Sequence, residues 1–226
     1  MKKTLLTVTT LTLLSTSINA EYVETFFDKG QMKAQTNYMD GTRTEKREGV
    51  KHGLEKVYYQ SGQMAYKVLY VEGKRDGKLT WLDRQGKVLS TSHFKLGKME
   101  GEEKSFFENG KVKKTVTYLN DLKEGLQKEF FDNGVLALEV NFIHNKKEGI
   151  QKEYREDGKL YSKVNYVNNY KEGKQKWFDQ NGKVTKTTIY KMDRPINVMK
   201  KVQTVHENKV LKELQGLNFS PNRAQN

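Results

Sequence analysis

From Phe26 to Tyr190 the chain alternates apolar and polar positions in a frame that resets every 24 residues. One glycine series marks the frame at Gly62, Gly86, Gly110, Gly134, Gly158 and Gly182, and a second keeps step at Gly53, Gly77, Gly101, Gly125, Gly149 and Gly173. Gly30 opens an earlier copy 32 residues before Gly62, so eight extra residues sit near Thr42 to Gly49 and seven units result. Four residues before the turn glycine stand Phe26, Tyr58, Leu82, Phe106, Phe130, Tyr154 and Phe178. Two after it stand Met32, Met64, Val88, Val112, Leu136, Leu160 and Val184. Six after come Thr36, Val68, Ser92, Val116, Val140, Val164 and Thr188, and eight after come Tyr38, Tyr70, Phe94, Tyr118, Phe142, Tyr166 and Tyr190. The offsets +2, +6 and +8 are even, the period of a strand with one buried face. The pattern therefore predicts that these columns share one face, joined across the turn by the column at −4.

The turns complete each unit as a hairpin. Asn109-Gly110, Asn133-Gly134, Asp157-Gly158 and Asn181-Gly182 are residues that tolerate the left-handed backbone of a tight turn. Columns −4 and +2 share a face only across an odd-length loop, so a three-residue loop such as Asp132-Asn133-Gly134, with glycine in a bulge, is predicted. Between units stand Gly49, Gly73, Gly97, Asp121, Asn145 and Asn169, four residues before the second glycine and all of types that accept positive φ. A lone hairpin is marginal in water, so the units must stack, each advancing the sheet by about 10 Å. The expected fold is all-β: one elongated, twisted antiparallel sheet of hairpins over residues 21–194, with neither Pro195 nor Pro221 inside it. Beyond Pro195, residues Ile196, Met199, Val202, Val205, Leu211, Leu214 and Leu217 fall mostly three apart, which suits a helical cap over the last hairpin, within a 195–226 tail that frays at its end. A strand followed by a short helix is the alternative, since the run is rich in Val and Thr up to Val205.

Composition narrows the class. Only 35% of residues are hydrophobic, too few for a thick two-layer core, while 11% aromatics argue against disorder. No stretch approaches the roughly 18 apolar residues of a spanning helix, which excludes a channel built from such helices. The first twenty residues read as a secretory signal: Lys2 and Lys3, then an apolar run from Leu5 to Ile18, then a cleavage point after Ala20. Formal net charge is +13, and removing that segment takes away two lysines and no acids, leaving +11. With no cysteine, an exported chain has neither a lipoprotein anchor nor disulfides to hold it. Periplasm, cell surface and extracellular space of a bacterium are the expected locations.

Segments such as Tyr70 to Gly77 and Lys123 to Gly134 resemble the bacterial variant of the MORN repeat, at constant spacing from Phe26 to Tyr190. The whole chain resembles the YwqK-type antitoxin family of tandem MORN-variant proteins. The resemblance implies a β-hairpin array with a binding role, and eukaryotic MORN arrays bring membranes and protein scaffolding into view.

Catalytic chemistry is sparse. His52, His93, His144 and His206 each fall at a different phase of the repeat, so they do not stack into a metal site, and there is no HExxH, no G-x-S-x-G and no phosphate-binding helix start. Neither an enzyme activity nor a cofactor is expected. Two features stand out as candidate binding elements. Three residues after the second glycine, Lys56, Lys104, Lys128, Lys152 and Lys176, interrupted by Thr80, would form a basic ladder with about 10 Å between rungs. The ladder is read either as charge that keeps the strands soluble or as a ligand-facing row. The insertion, with Arg43, Lys46 and Arg47, is read either as a binding loop or as a tolerated decoration. The aromatic column from Tyr38 to Tyr190 is expected in the core rather than in a stacking strip. The expected partner is a protein, such as a toxin or effector, with an anionic membrane surface or envelope polymer as the alternative. Nucleic acid is set aside, because the chain is exported before it folds.

Overall fold

The computed structural model describes residues 20–44 and 48–196. The expected signal segment up to Asn19, Lys46 and Arg47 of the insertion, and the expected helical cap from residue 197 onward lie outside the described residues. Every described element is a strand. The first two units give β1 (Ala20–Phe26), β2 (Met32–Met39), β3 (Gly53–Tyr58) and β4 (Met64–Val71). The third and fourth give β5 (Lys74–Arg75), β6 (Gly77–Leu82), β7 (Val88–Lys95), β8 (Lys98–Met99), β9 (Gly101–Phe106) and β10 (Val112–Leu119). The fifth and sixth give β11 (Leu122–Lys123), β12 (Gly125–Phe130), β13 (Leu136–Ile143), β14 (Lys146–Lys147), β15 (Gly149–Tyr154) and β16 (Leu160–Val167). The array closes with β17 (Tyr170–Phe178), β18 (Val184–Lys191) and β19 (Arg194–Ile196). All 19 belong to one sheet and every pairing is antiparallel; the two-residue strands β5, β8, β11 and β14 pair only with the strand before them, which also pairs with the strand after.

The hairpin loops have three residues, as the pattern predicts. Phe131 N donates to Val135 O at 2.8 Å and Gly134 N donates to Phe131 O at 2.9 Å, enclosing Asp132-Asn133-Gly134 with Gly134 at φ 92°. The links between units are two-residue turns with both residues left-handed, such as His144 (φ 48°) and Asn145 (φ 66°). This is the turn geometry whose twist matches paired strands.

These link turns also fasten each unit to the one before. Asn145 N donates to Lys123 O at 3.0 Å, and Lys123 N donates back to Asn145 Oδ1 at 2.7 Å. The same reciprocal pair joins Asp121 to Met99, Asn169 to Lys147 and Asp193 to Lys171. Glu124 adds a third bond, its carboxylate accepting from His144 N at 2.8 Å, and Glu148 repeats it with Asn168 N at 2.8 Å. At Gly73 and Gly97 the backbone half of the pair survives, but there is no side chain to return the bond. Asn145→Gly should therefore keep the turn and cost about 1 kcal/mol, the worth of one hydrogen bond, measured as a lowered urea midpoint with unchanged far-UV circular dichroism.

One expectation is corrected by the register. Phe130 pairs with Leu136, but Glu129 pairs with Leu138, so Ala137 is an extra residue in a bulge. The same shift recurs in every hairpin. Columns −4 and +2 do face the same way, but Phe130 is three residues from Gln127, which pairs with Val140. An odd separation along a strand changes face. Columns −4 and +2 therefore lie on the opposite face from +6 and +8. A bulge is invisible to a count of even offsets because it adds one residue and inverts everything beyond it.

The buried face carries the core. Its central row alternates column +6 with the column seven before the turn glycine, and holds Val68, Val116, Val140 and Val164 beside Glu55, Leu79, Gln127, Gln151 and Gln175, all buried. Val68 and Val140 are 0% exposed. In the adjoining row each aromatic of column +8 from Tyr70 onward pairs with a glycine, such as Phe142 with Gly125 and Tyr166 with Gly149. Both glycines stand at positive φ, 92° and 84°, a backbone other residues rarely adopt, while a Cβ there would meet at most Thr117 Cβ at 3.9 Å. The sheet also reaches further than expected. Pro195 pairs with Tyr190 inside β19. A proline with no N–H to offer is tolerated in a short terminal strand, where one side asks for no donor.

Candidate functional site

Two sets of cations serve opposite ends. On the buried face Lys123 Nζ lies 5.1 Å from the centre of the Phe142 ring and donates to Gln127 Oε1 at 3.4 Å. Lys147 repeats this with Tyr166 at 4.9 Å and Gln151 at 2.8 Å, and Lys171 with Tyr190 at 5.1 Å and Gln175 at 3.1 Å. Lys51 and Arg75 cover Tyr70 and Phe94 in the same way. These cations close the core with a cation–π attraction, except over Tyr118, where Met99 stands in the place of the lysine. Burial pulls the Lys147 ammonium below its ordinary range. At Lys51 burial pulls the same way, but the Glu55 carboxylate at 2.6 Å more than offsets it and the ammonium is raised. Burial, followed by the same carboxylate, pushes the Tyr66 hydroxyl up to about 12.

The opposite face is open, and the lysine ladder lies there. Lys128 pairs across the hairpin with Glu139, which pairs with Lys152 of the next unit, so the rungs and column +5 fall in one transverse row. The row reads Glu24, Gln35, Lys56, Lys67, Thr80, Thr91, Lys104, Thr115, Lys128, Glu139, Lys152, Lys163, Lys176 and Thr187. All five ladder lysines are thus brought together, and Lys67 and Lys163 join them. Column +5 is chemically mixed, which is why it carried no signal by itself; only the cross-strand register sets its two lysines beside the ladder. Lys56 faces Lys67, and Lys152, Lys163 and Lys176 follow one another with no acid between. Like charges directly opposite on neighbouring strands weaken a sheet.

Acids offset only part of this. Lys152 Nζ donates to Glu139 Oε1 at 2.8 Å, where the Tyr154 hydroxyl also donates at 2.9 Å, and the Lys152 ammonium holds the Glu139 carboxyl below the usual carboxylate range. Lys104 pairs with Glu102 at 2.9 Å. The side chains of Lys104 and Lys152 are nonetheless 41% and 42% exposed. Column −4, now on this face, sets Tyr58, Phe106, Phe130, Tyr154 and Phe178 two residues after each rung, all half-buried. On the other flank Leu54, Leu126 and Ile150 are exposed.

The insertion is closed at its base. Met39 N donates to Val50 O at 2.8 Å and Val50 N donates to Thr42 Oγ1 at 2.9 Å. Arg43 is tied inward, 2.9 Å from Glu21 Oε1 and over the Tyr38 ring at 5.7 Å. It thereby gives the first unit the cation that the buried face carries elsewhere. His52, His93 and His144 are scattered, and among the described residues no group of three His, Cys, Asp or Glu could hold a metal ion.

Five segments, residues 51–72, 99–120, 123–144, 147–168 and 171–192, match the family described as MORN repeat variant. No curated protein matches the chain. Among solved structures it is similar to a Staphylococcus aureus TarM mutant in complex with fondaparinux, α-GlcNAc-glycerol and UDP, at 13% identity and TM-score 0.29. That likeness covers 56% of this chain and 21% of the other. A porin-like protein from Bacteroides uniformis is similar at 10% identity and TM-score 0.22, over 78% of this chain and 86% of the other. Neither score is high enough to bear on fold or function.

Proposed function

Because this chain is a MORN-repeat protein, we propose that it is a non-catalytic binding scaffold of the bacterial envelope that meets an anionic partner with the lysine row of its open face. The observation that supports this is the run Lys152, Lys163, Lys176, three consecutive cross-strand neighbours of one sign. Charge kept only for solubility would be dispersed among acids, since adjacent like charges cost stability. Export rests on the first twenty residues, with their basic start, apolar run and small residue at Ala20. A protein partner, including a toxin or effector of the kind the antitoxin resemblance implies, is the second reading. It is favoured by the exposed aliphatic flank of Leu54, Leu126 and Ile150 (41%, 41% and 55%), which offers the apolar anchors a packed interface uses.

The test is co-sedimentation of the chain with vesicles rich in phosphatidylglycerol and its retention by immobilised polyphosphate, each at low and high salt. Binding should fall steeply as salt rises, and changing Lys104, Lys128 and Lys152 together to Gln should weaken it at least about tenfold, since each basic residue at an anionic surface contributes on the order of 1 kcal/mol before exposure discounts it. A partner captured from the envelope whose binding ignores both salt and the triple substitution would replace this reading with the protein one.

A further inference from the structure

On the open face each lysine rung is followed, two residues along the same strand, by a half-buried aromatic: Lys56 with Tyr58, Lys104 with Phe106, Lys128 with Phe130, Lys152 with Tyr154 and Lys176 with Phe178. In the third unit Thr80 and Leu82 stand in their places, and in the first Glu24 precedes Phe26. Residues two apart on a strand share a face, so cation and ring stand side by side in five of the seven units. A cation and a ring repeated at this fixed spacing give the sheet a two-part site.

From this pairing we infer that the open face binds a linear acidic polysaccharide carrying one carboxylate per disaccharide, each carboxylate on a lysine and a neighbouring sugar face on the aromatic. The inference rests on the anionic-partner reading above and adds the chemistry of the partner. The period supports it: successive rungs are about 10 Å apart, about the length of an extended disaccharide. A stacked nucleic-acid strand carries a phosphate about every 3.4 Å, which would leave most of its charges between rungs. Inorganic polyphosphate has charge but no ring face for the aromatics. Charge complementarity is local as well: among the described residues the acids that face the same way in the row and its flank beside Lys104, Lys128, Lys152, Lys163 and Lys176 are Glu102, Glu139 and Glu172, fewer than the lysines.

The break at Thr80 and Leu82 sets a length. The fourth to seventh units form an uninterrupted tract of four rungs spanning about 30 Å, and Lys56 with Tyr58 stands apart beyond the gap. Affinity should therefore climb as a glycan grows to four disaccharides and then level off, because each added rung engages at high effective concentration.

The experiment uses the whole chain and hyaluronan oligosaccharides of four, six, eight and ten sugars, followed by calorimetry. Polyphosphate, oligothymidylate and phosphatidylglycerol vesicles serve as comparison ligands. Two variants copy the natural third unit and so keep the fold, Lys128→Thr and Phe130→Leu, each checked by circular dichroism. The expected result is affinity that rises to eight sugars and is flat at ten. Phe130→Leu should weaken hyaluronan binding about fivefold, roughly one aromatic contact, with no change in salt dependence and no effect on polyphosphate. Lys128→Thr should weaken both ligands and flatten their salt dependence. If polyphosphate, oligothymidylate or vesicles bind at least as tightly and Phe130→Leu is without effect on hyaluronan, the glycan assignment is overturned while the basic-face reading stands. If no polyanion binds at all, both fall.

Discussion

Val140→Asp is expected to open the middle of the sheet. Val140 is fully buried in the central row, paired with Gln127, and the lysines on that face are committed, Lys123 to Gln127 and the Phe142 ring and Lys147 to Gln151 and the Tyr166 ring. An uncompensated buried charge costs about 3–5 kcal/mol. In a linear array each unit leans only on its neighbours, so that loss should be local before it is global. Hydrogen exchange should show β12 to β15 losing protection while β3 to β7 keep theirs, and the urea transition should broaden or split. Uniform loss of protection along the chain would show that the units are coupled far more tightly than nearest-neighbour stacking allows.

Phe142→Ala is the second large effect. The ring is 7% exposed, sits opposite Gly125 and lies beneath the Lys123 ammonium. Its removal leaves Lys123 held only by Gln127, and truncating a buried phenylalanine costs about 3–5 kcal/mol. Phe142→Tyr should be nearly silent, since five of the seven units carry tyrosine in that column. Chemical denaturation of both variants checks the pair: an alanine variant within about 0.5 kcal/mol of the parent would mean that the aromatic column does not hold the array together.

Most of the fold was legible in the chain because each local signal has a local cause. The hairpin loops follow from Asn-Gly and Asp-Gly at fixed spacing, and the link turns from residues that accept positive φ, as Asp121 (φ 68°) and Asn169 (φ 74°) do. What was not legible depended on register. The extra residue at Ala137 carries no signature of its own, yet it turned Phe130 and Leu136 to the open face and so changed a supposed core column into part of the candidate site. Lys67 and Lys163 were missed for a related reason: they join the ladder only through pairing between strands. The polar members of the buried face were missed too. Gln127, Gln151 and Gln175 look like surface residues in sequence, and they are buried because a lysine four positions earlier reaches back to each one.

The link turns differ along the array in a way that bears on mechanics. From Asp121 onward every turn returns a side-chain bond to the preceding unit, whereas at Gly73 and Gly97 the second bond is one that Glu72 N donates to His52 Nδ1 at 3.4 Å and Leu96 N donates to Asp76 Oδ2 at 3.1 Å. The junctions at Asn145, Asn169 and Asp193 carry three bonds each and those at Gly73, Gly97 and Asp121 two, so the sheet should be stiffer toward its last units. Bending should concentrate in the earlier units, which include the interruption of the rungs at Thr80 and Leu82. A ligand of the kind inferred above would then meet Lys56 at a variable angle to the later rungs.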